Sequence, residues 1–227
     1  MAEIDKRVRV ARRVAQELKN GEVVNLGIGL PTLVANYLPQ GVSIILHSEN
    51  GFLGIGSEPE SGKEDKDLIN AGGKPASILA NGCCFDSATS FAIIRGGHVD
   101  TTVLGALEVD QKGNLANWMV PGKKVTGMGG AMDLVTGAKK VIIAMEHVNK
   151  DGSPKIVKEC TMPLTAKEEV DLIITDMAVI AVHSDGLYLL EIGEDTTVEQ
   201  VISCTDAKLI LPTGHIPIFG EEGSKER

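Results

Sequence analysis

VVNLGIGLPTLVANYLPQGVSIILHSENG, Val23 to Gly51, decides the fold. Val23 to Leu26 reads as a strand that runs into glycines. Pro31 then suits the first turn of a helix reaching Leu38, because a missing N–H and a fixed φ cost little there. VSIILHSE, Val42 to Glu49, is a second strand. Strand, helix and strand over so short a span make a βαβ unit, which implies parallel pairing and a right-handed crossover. Ile44, Ile45 and Leu46 read as a fully buried run, and Asn50-Gly51 as a turn. Glu49 therefore stands where the strand leaves the core, and a charge in that place needs a reason.

The rest of the chain extends the same pattern. Val8, Ala11, Val14, Ala15 and Leu18 recur at helical spacing before Gly21, which predicts an amphipathic helix over Asp5 to Asn20. Gly56 to Asp67 is polar and punctuated by glycine and proline, the composition of a solvated loop. PASILANG reads as a strand, and DSATSFAIIRGG as a helix capped by Asp86 and stopped at Gly96-Gly97. TTVLGALEVDQKGNLANW reads as two strands around a Gln111 to Asn114 turn. A second glycine-rich stretch, VTGMGGAMDLVTGAKK, precedes the strand VIIAME. Turn signals NKDGS and SDG and a helix near Val198 to Ser203 complete an α/β fold, a mainly parallel sheet flanked by helices with antiparallel additions. No repeat or linker divides the chain, so residues 1–227 are expected to form one domain.

Composition narrows the function. The 227 residues are 43% hydrophobic but only 3% aromatic, so aliphatic packing must supply the core. With 22 Lys+Arg against 31 Asp+Glu, the net charge of -9 disfavours binding to nucleic acid or an anionic membrane surface. Cys83, Cys84, Cys160 and Cys204 form no C-x-x-C pair and are expected to be reduced, buried thiols. No signal-peptide segment is seen at the N-terminus, and Asp171 and Asp176 interrupt the best membrane-span candidate, so a cytoplasmic protein is expected. His47, His98, His147, His183 and His215 show no metal-ligand spacing; they are read as structural, and no metal is expected.

In open α/β sheets ligands bind beyond the carboxyl ends of parallel strands, where GIGLP, SENG and GMGGAMD would all lie. Neither glycine loop completes a dinucleotide fingerprint: Thr32 and Met132 stand where the third glycine belongs. A glycine-rich turn by itself requires only a positive φ. Glu49 offers more. A carboxylate is ionised at neutral pH and attacks an activated carbonyl without a general base. Backbone N–H groups at Gly129, Gly130 and Ala131, opening a helix, suit the resulting oxyanion. The bland alternative is a strand-end carboxylate that caps a turn or pairs with a lysine, and on these residues alone it is the stronger.

LHSENGFLG, Leu46 to Gly54, resembles the signature of the class I CoA-transferases, specifically the β subunit of the 3-oxoacid type. The likeness continues in order through DLINAGGK, SFAIIRGGHVD, LANWMVPGK, GMGGAMDLV and MEH, and spans roughly Ile4 to Pro217. It implies a CoA-transferase-like three-layer fold, with Glu49 as the nucleophile of a ping-pong reaction through an acyl-glutamyl anhydride and a glutamyl-CoA thioester. It implies backbone oxyanion donors at Gly130 and Ala131. Lys74 follows as a CoA contact, beside Gly27, Gly29, Asn50 and Gly51 in the flanking loops. AGGK carries one more glycine than the AGK usual in the family. The resemblance also implies an α subunit partner bearing a glycine-rich CoA motif and an oxyanion glutamine, hence a hetero-oligomer. Coenzyme A would be substrate and covalent intermediate, with no tightly bound cofactor. Acetoacetyl-CoA is the expected substrate, among acetate, butyrate and succinate derivatives. Because CoA is anionic and this chain acidic, the partner should contribute binding charge. Two alternatives share the fold: a sugar-phosphate isomerase, which should show a basic cluster beside its glycine loops, and a ligand-sensing module without chemistry.

Overall fold

The expected βαβ unit forms, and the sheet grows outward from it. The computed structural model describes residues 5–122, 125 and 127–220. Ile4, Lys123 and Thr126, which fall within the stretches quoted above, lie outside the described residues. In chain order the strands are β1 Val23–Leu26, β2 Ile45–Ser48, β3 Phe52–Ile55, β4 Ile78–Cys84, β5 Thr101–Leu104, β6 Glu108–Asp110 and β7 Leu115–Ala116. They continue with β8 Lys140–Ala144, β9 Ile156–Val157, β10 Leu172–Ile174, β11 Ala178–His183, β12 Gly186–Gly193, β13 Leu209–Ile210 and β14 Ile218–Phe219. The α-helices are α1 Lys6–Ala15, α2 Ser87–Arg95, α3 Ala131–Gly137 and α4 Val198–Ser203.

β1 pairs in parallel with β2 on one side and β5 on the other, and β8 and β10 continue the parallel run. Antiparallel β3 and β4 close one end of the sheet, and the β11–β12 hairpin extends the other. The parallel core thus has the order β2-β1-β5-β8-β10. The segment TTVLGALEVDQKGNLANW gives three strands rather than two: β5 joins the main sheet, while β6 and β7 form the hairpin around residues 111–114 in a small sheet with β9. Between β1 and β2 the helix is of 3-10 type, Leu30–Tyr37. Leu38 precedes Pro39 and takes an extended ψ of 137°, which ends it.

β8 shows why the parallel strands read as continuous apolar runs. Ile142 and Ala144 point to the side covered by α1 and the 3-10 helix, where they meet Val10, Val14, Val24 and Ile174. Val141 and Ile143 point to the opposite side, against Ile94 of α2, Leu134 and Val135 of α3, and Ile173. Three layers result.

Two expectations about burial are corrected. β2 is not fully buried: Ile44 and Leu46 pack toward the α1 side, but Ile45 faces the other way and is 43% exposed. On that face α2 covers His47, whose ring meets Ser90, while Ile45 at the start of the strand is left open. The cysteines are free, as expected, but not buried: Cys83 and Cys84 are exposed on edge strand β4, and Cys160 and Cys204 are half-buried. Burial, reinforced by Asp110 and Glu108, pushes the Cys160 thiol up to about 12, so it stays protonated.

Apolar spacing also hides part of α1. The helix ends at Ala15, with the Asp5 side chain accepting from the Arg7 amide at its start. Arg9 and Arg13 lie on its buried face. The Arg9 guanidinium donates to Asp195 at 2.5 Å and to the Asp176 carbonyl at 3.2 Å. Arg13 forks onto both oxygens of Glu191, each at 2.8 Å, and reaches Glu17 at 2.8 Å. Lys140 Nζ closes the cluster on Glu17 at 2.8 Å. This paired cluster ties α1 to β12 and to the start of β8. Removing one member strands a half-buried partner, so Arg13→Ala should lower the unfolding free energy by about 3 kcal/mol in a denaturant titration.

His147 is wholly buried between two threonine hydroxyls, Thr175 at 2.9 Å from Nδ1 and Thr205 at 2.9 Å from Nε2. The Thr205 hydroxyl already donates to the Val201 carbonyl, so it accepts from Nε2–H and leaves Nδ1 as the acceptor. Burial pushes the imidazole pKa down to about 4, with Asp176 opposing. In the unfolded chain the same ring takes up a proton near pH ~6.5. Stability from this group is therefore complete above that pH and is lost as pH falls toward 4, by about 3 kcal/mol in all. Thermal or denaturant unfolding across that window should show the loss, and His147→Gln should flatten it.

Candidate active site

Asn25 is the polar residue in the middle of an apolar strand, and it organises the end of the sheet. It stands opposite His47 in the parallel register of β1 and β2 and is 2% exposed. Its Nδ2 lies 3.2 Å from the His47 carbonyl, 3.3 Å from His47 Nδ1 and 3.3 Å from Glu49 Oε2. Behind it, His47 Nε2 meets the buried Ser90 hydroxyl of α2 at 3.0 Å. Burial lowers the His47 pKa, and the Glu49 charge opposes that shift without reversing it. A neutral imidazole therefore backs the Asn25 amide, and Glu49, half-buried one residue past β2, takes the outer end of the chain.

The turn after Glu49 is built from residues that leave no choice of conformation. Gly51 has a φ of 124°, and a Cβ there would collide with the Phe85 carbonyl oxygen. The Asn50 side-chain amide donates to the Ile69 carbonyl at 2.7 Å, and Ser48 Oγ accepts from the Ala71 amide at 3.1 Å. These two bonds fasten the Asn70 to Lys74 loop against the nucleophile turn. Lys74 is exposed where that loop closes, its amide donating to Asn70 Oδ1 and its carbonyl accepting from the Asn70 amide.

The second glycine stretch arrives from the opposite side. α3 runs back toward β8, so its N-terminus lies at the carboxyl ends of the parallel strands. A Cβ on Gly130 would stand 3.1 Å from Glu49 Cγ and 3.4 Å from its Cδ, so the loop touches the carboxylate side chain with bare backbone. Among the described residues the Gly130 amide has no hydrogen-bond acceptor, whereas the Ala131 amide donates to the Met128 carbonyl at 3.1 Å. Of the expected site residues, Glu49, Asn50, Gly51, Gly130 and Ala131 meet here.

The first glycine stretch has a different part. Gly27 lets β1 run close to β5: its amide donates to the Val103 carbonyl at 2.8 Å, and a Cβ would sit 3.1 Å from that oxygen. Gly29, at a φ of 93°, turns the chain into the 3-10 helix and faces open space. Between them Ile28 is 73% exposed. It approaches Gly72 of the Lys74 loop and lines a cleft of about 280 Å³ beyond β1, β5 and β8, with Leu30, Gly105, Met145, Glu146 and Lys155. Glu49 does not line that cleft; Ile28 stands between the cleft and the loop that carries Gly72. Asn25, His47 and Ser90 are the site residues that motif reading misses. An asparagine inside VVNL, where a buried parallel strand calls for an apolar side chain, is the available signal.

A carboxylate set at the carboxyl edge of a parallel sheet, its side chain closely approached by glycine backbone, defines an α/β protein equipped for acyl or group transfer. The particular family follows from sequence. Residues 7–203 match the family described as coenzyme A transferase. The beta subunit of the acetate CoA-transferase of Escherichia coli (strain K12) is 57% identical over 205 residues, 90% of this chain and 94% of that protein. A subunit of the succinyl-CoA:3-ketoacid coenzyme A transferase of Helicobacter pylori (strain ATCC 700392 / 26695) is 52% identical over 89% of this chain and 97% of its own. Among solved structures, an acyl-CoA transferase from E. coli O157:H7 (YdiF), crystallised as a thioester complex with CoA, superposes with a TM-score of 0.73 at 23% identity. That match takes in 97% of this chain and 44% of the other, and it shows the shared fold.

The chain belongs to the coenzyme A transferase family and is a transferase. The sugar-phosphate isomerase and the sensing module find no support in these relationships.

The two close glycine contacts should separate on substitution. Gly51→Ala combines a positive φ with a backbone collision and should cost more than about 2 kcal/mol of stability. Gly130 has an ordinary φ of -83°, so Gly130→Ala should leave the denaturation midpoint nearly unchanged. It should still slow turnover by about tenfold or more, because the added methyl displaces Glu49. Equal losses of stability in the two variants would contradict this assignment.

Proposed function

We propose that this chain is the β subunit of a heteromeric CoA-transferase that moves coenzyme A from a short-chain acyl-CoA, acetoacetyl-CoA among them, to a free carboxylate. The observation that carries the reading is the close approach of the Gly130 backbone to the Glu49 side chain, at a glycine whose amide has no hydrogen-bond acceptor among the described residues. The names of the E. coli and H. pylori relatives, each a subunit of a CoA-transferase, support the reaction class and an α partner.

The chemistry runs through one side chain. A Glu49 oxygen attacks the thioester carbonyl of the donor, and the C–S bond breaks to release CoA thiolate and leave an acyl-glutamyl anhydride. The thiolate attacks the glutamyl carbonyl, the donor carboxylate departs, and a glutamyl-CoA thioester remains. An acceptor carboxylate attacks that thioester, and the thiolate it frees then takes the new acyl group, restoring Glu49. Each addition puts negative charge on a carbonyl oxygen, and a fixed amide at that point lowers the barrier. Gly130 is suited to this because its N–H has no acceptor among the described residues. The Ala131 amide is spent on its own turn, so a second donor falls to the α subunit. Exclusion of water protects the anhydride, which makes a partner closing over Glu49 part of the mechanism.

Coenzyme A acts here as substrate and covalent intermediate. The exposed Lys74 is its phosphate contact, and Gly29 offers open backbone beside it. Gly27, Asn50 and Gly51 serve by holding the two turns in shape.

The test is to co-express the chain with an α subunit, incubate with acetoacetyl-CoA and no acceptor, trap with borohydride or hydroxylamine, and map the modified peptide by mass spectrometry. Glu49 should carry the modification, and Glu49→Gln should lower turnover by about 10³-fold or more. Label on a cysteine, or no label, would overturn the reading.

A further inference from the structure

His47 is buried, polar and absent from the mechanism above, and its surroundings assign its tautomer. The Asn25 side chain turns its nitrogen toward three acceptors, the His47 carbonyl, Glu49 Oε2 and His47 Nδ1, so that its two hydrogens serve three contacts and one of them is shared. Turned the other way, its oxygen would face a carbonyl and a carboxylate, so the donor orientation is the consistent one. Because Nδ2 only donates, His47 Nδ1 must accept, and the ring proton belongs on Nε2. There it has the Ser90 hydroxyl at 3.0 Å, and that hydroxyl can pass its own proton toward the Ser48 carbonyl at 3.5 Å. Donation thus runs from Asn25 of β1 through His47 of β2 to Ser90 of α2, while the same Asn25 amide also donates to Glu49.

We propose that His47 is a positioning residue for the reaction: its neutral Nε2–H form holds the Asn25 amide as a donor against Glu49, fixing the orientation of the attacking carboxylate. The inference rests on Glu49 being the nucleophile. It adds that the attacking oxygen is aimed from behind by a group that never touches substrate. A proton added to Nδ1 would face a donor. The one way to satisfy it is to rotate Asn25, which brings the amide oxygen against Glu49 and repels it. The group is therefore active only while neutral. Glu49 is the charged group that acts on the ring; β1 presents Asn25 and α2 presents Ser90, neither of which titrates. Burial favours the neutral ring, which agrees with this role.

Asparagine and leucine at position 47 separate positioning from mere filling. Asn Oδ1 stands where Nδ1 stood and can still accept from Asn25; leucine fills the space and accepts nothing. With the α–β complex, single-turnover formation of the enzyme-CoA thioester from acetoacetyl-CoA should slow by about tenfold or more in His47→Leu, with KM for acyl-CoA within about twofold of wild type. His47→Asn should recover most of that loss, whatever its thermal stability. Its pH-rate profile should lack the acid-side imidazole step. Wild-type speed in His47→Leu, equal losses in both variants, or an unchanged pH profile in His47→Asn would overturn the inference while leaving the nucleophile in place. Failure of the wild-type complex to form a Glu49 adduct would remove the nucleophile reading and this inference together.

Discussion

The structure depends most on one close approach: backbone from the loop before α3 resting on the side chain of the residue that follows β2. A β-carbon at Gly130 would crowd Glu49 by a few tenths of an ångström, so glycine is the residue that permits contact without displacement. The same economy of space recurs one turn away, where Gly51 leaves room for the Phe85 carbonyl. Between these two glycines a carboxylate can be held at the sheet edge, half-buried, with peptide dipoles around it and no cation of this chain paired to it among the described residues. An ion pair there would have made Glu49 an ordinary surface anchor. A hydrogen bond from Asn25 orients the carboxylate and leaves its charge available.

Elsewhere the chain uses charge in the opposite way, for fastening. Arg9 and Arg13 put guanidinium groups on the buried face of α1 and pair them with Asp195, Glu191 and Glu17, leaving Arg9 Nε without a partner among the described residues. Such clusters bring geometric definition more than net stability, since the desolvation of each charge offsets much of its attraction. Their effect is to lock the helix covering one face of the sheet to β12, while α2 and α3 on the other face deliver Ser90 and Gly130 to the site. The constellation thus joins two layers, the sheet that carries Asn25, His47 and Glu49 and the α2–α3 layer that carries Ser90 and Gly130.

Much of this is legible in the sequence because it follows from local rules. Asp86 capping α2, the βαβ unit, the SDG hairpin and the helix at Val198 to Ser203 each rest on a few neighbouring residues. Glu49 itself is marked by position, a charge at the end of a strand, and its partner loop by glycines opening a helix. What escapes is tertiary. Nothing in IIL says that Ile45, at the start of β2, will be left exposed, and nothing in KRVRVARRVA says that two arginines will turn inward. Cys83 and Cys84 look like core residues until β4 proves to be an edge. His47 reads as structural for want of a metal pattern. Its link to Glu49 through Asn25 exists only because β1 and β2 pair in a register that puts residues 25 and 47 side by side.

The account turns on whether Glu49 becomes covalently attached to coenzyme A with its carbonyl oxygen turned to Gly130. A crystal structure of the α–β complex, soaked with acyl-CoA and frozen without acceptor, tests this directly. Continuous density from Glu49 Cδ to the CoA sulfur is predicted, with the remaining glutamyl oxygen within hydrogen-bonding distance of the Gly130 nitrogen. An unmodified Glu49 in an ion pair with a cation of the partner subunit, and CoA bound elsewhere, would contradict it.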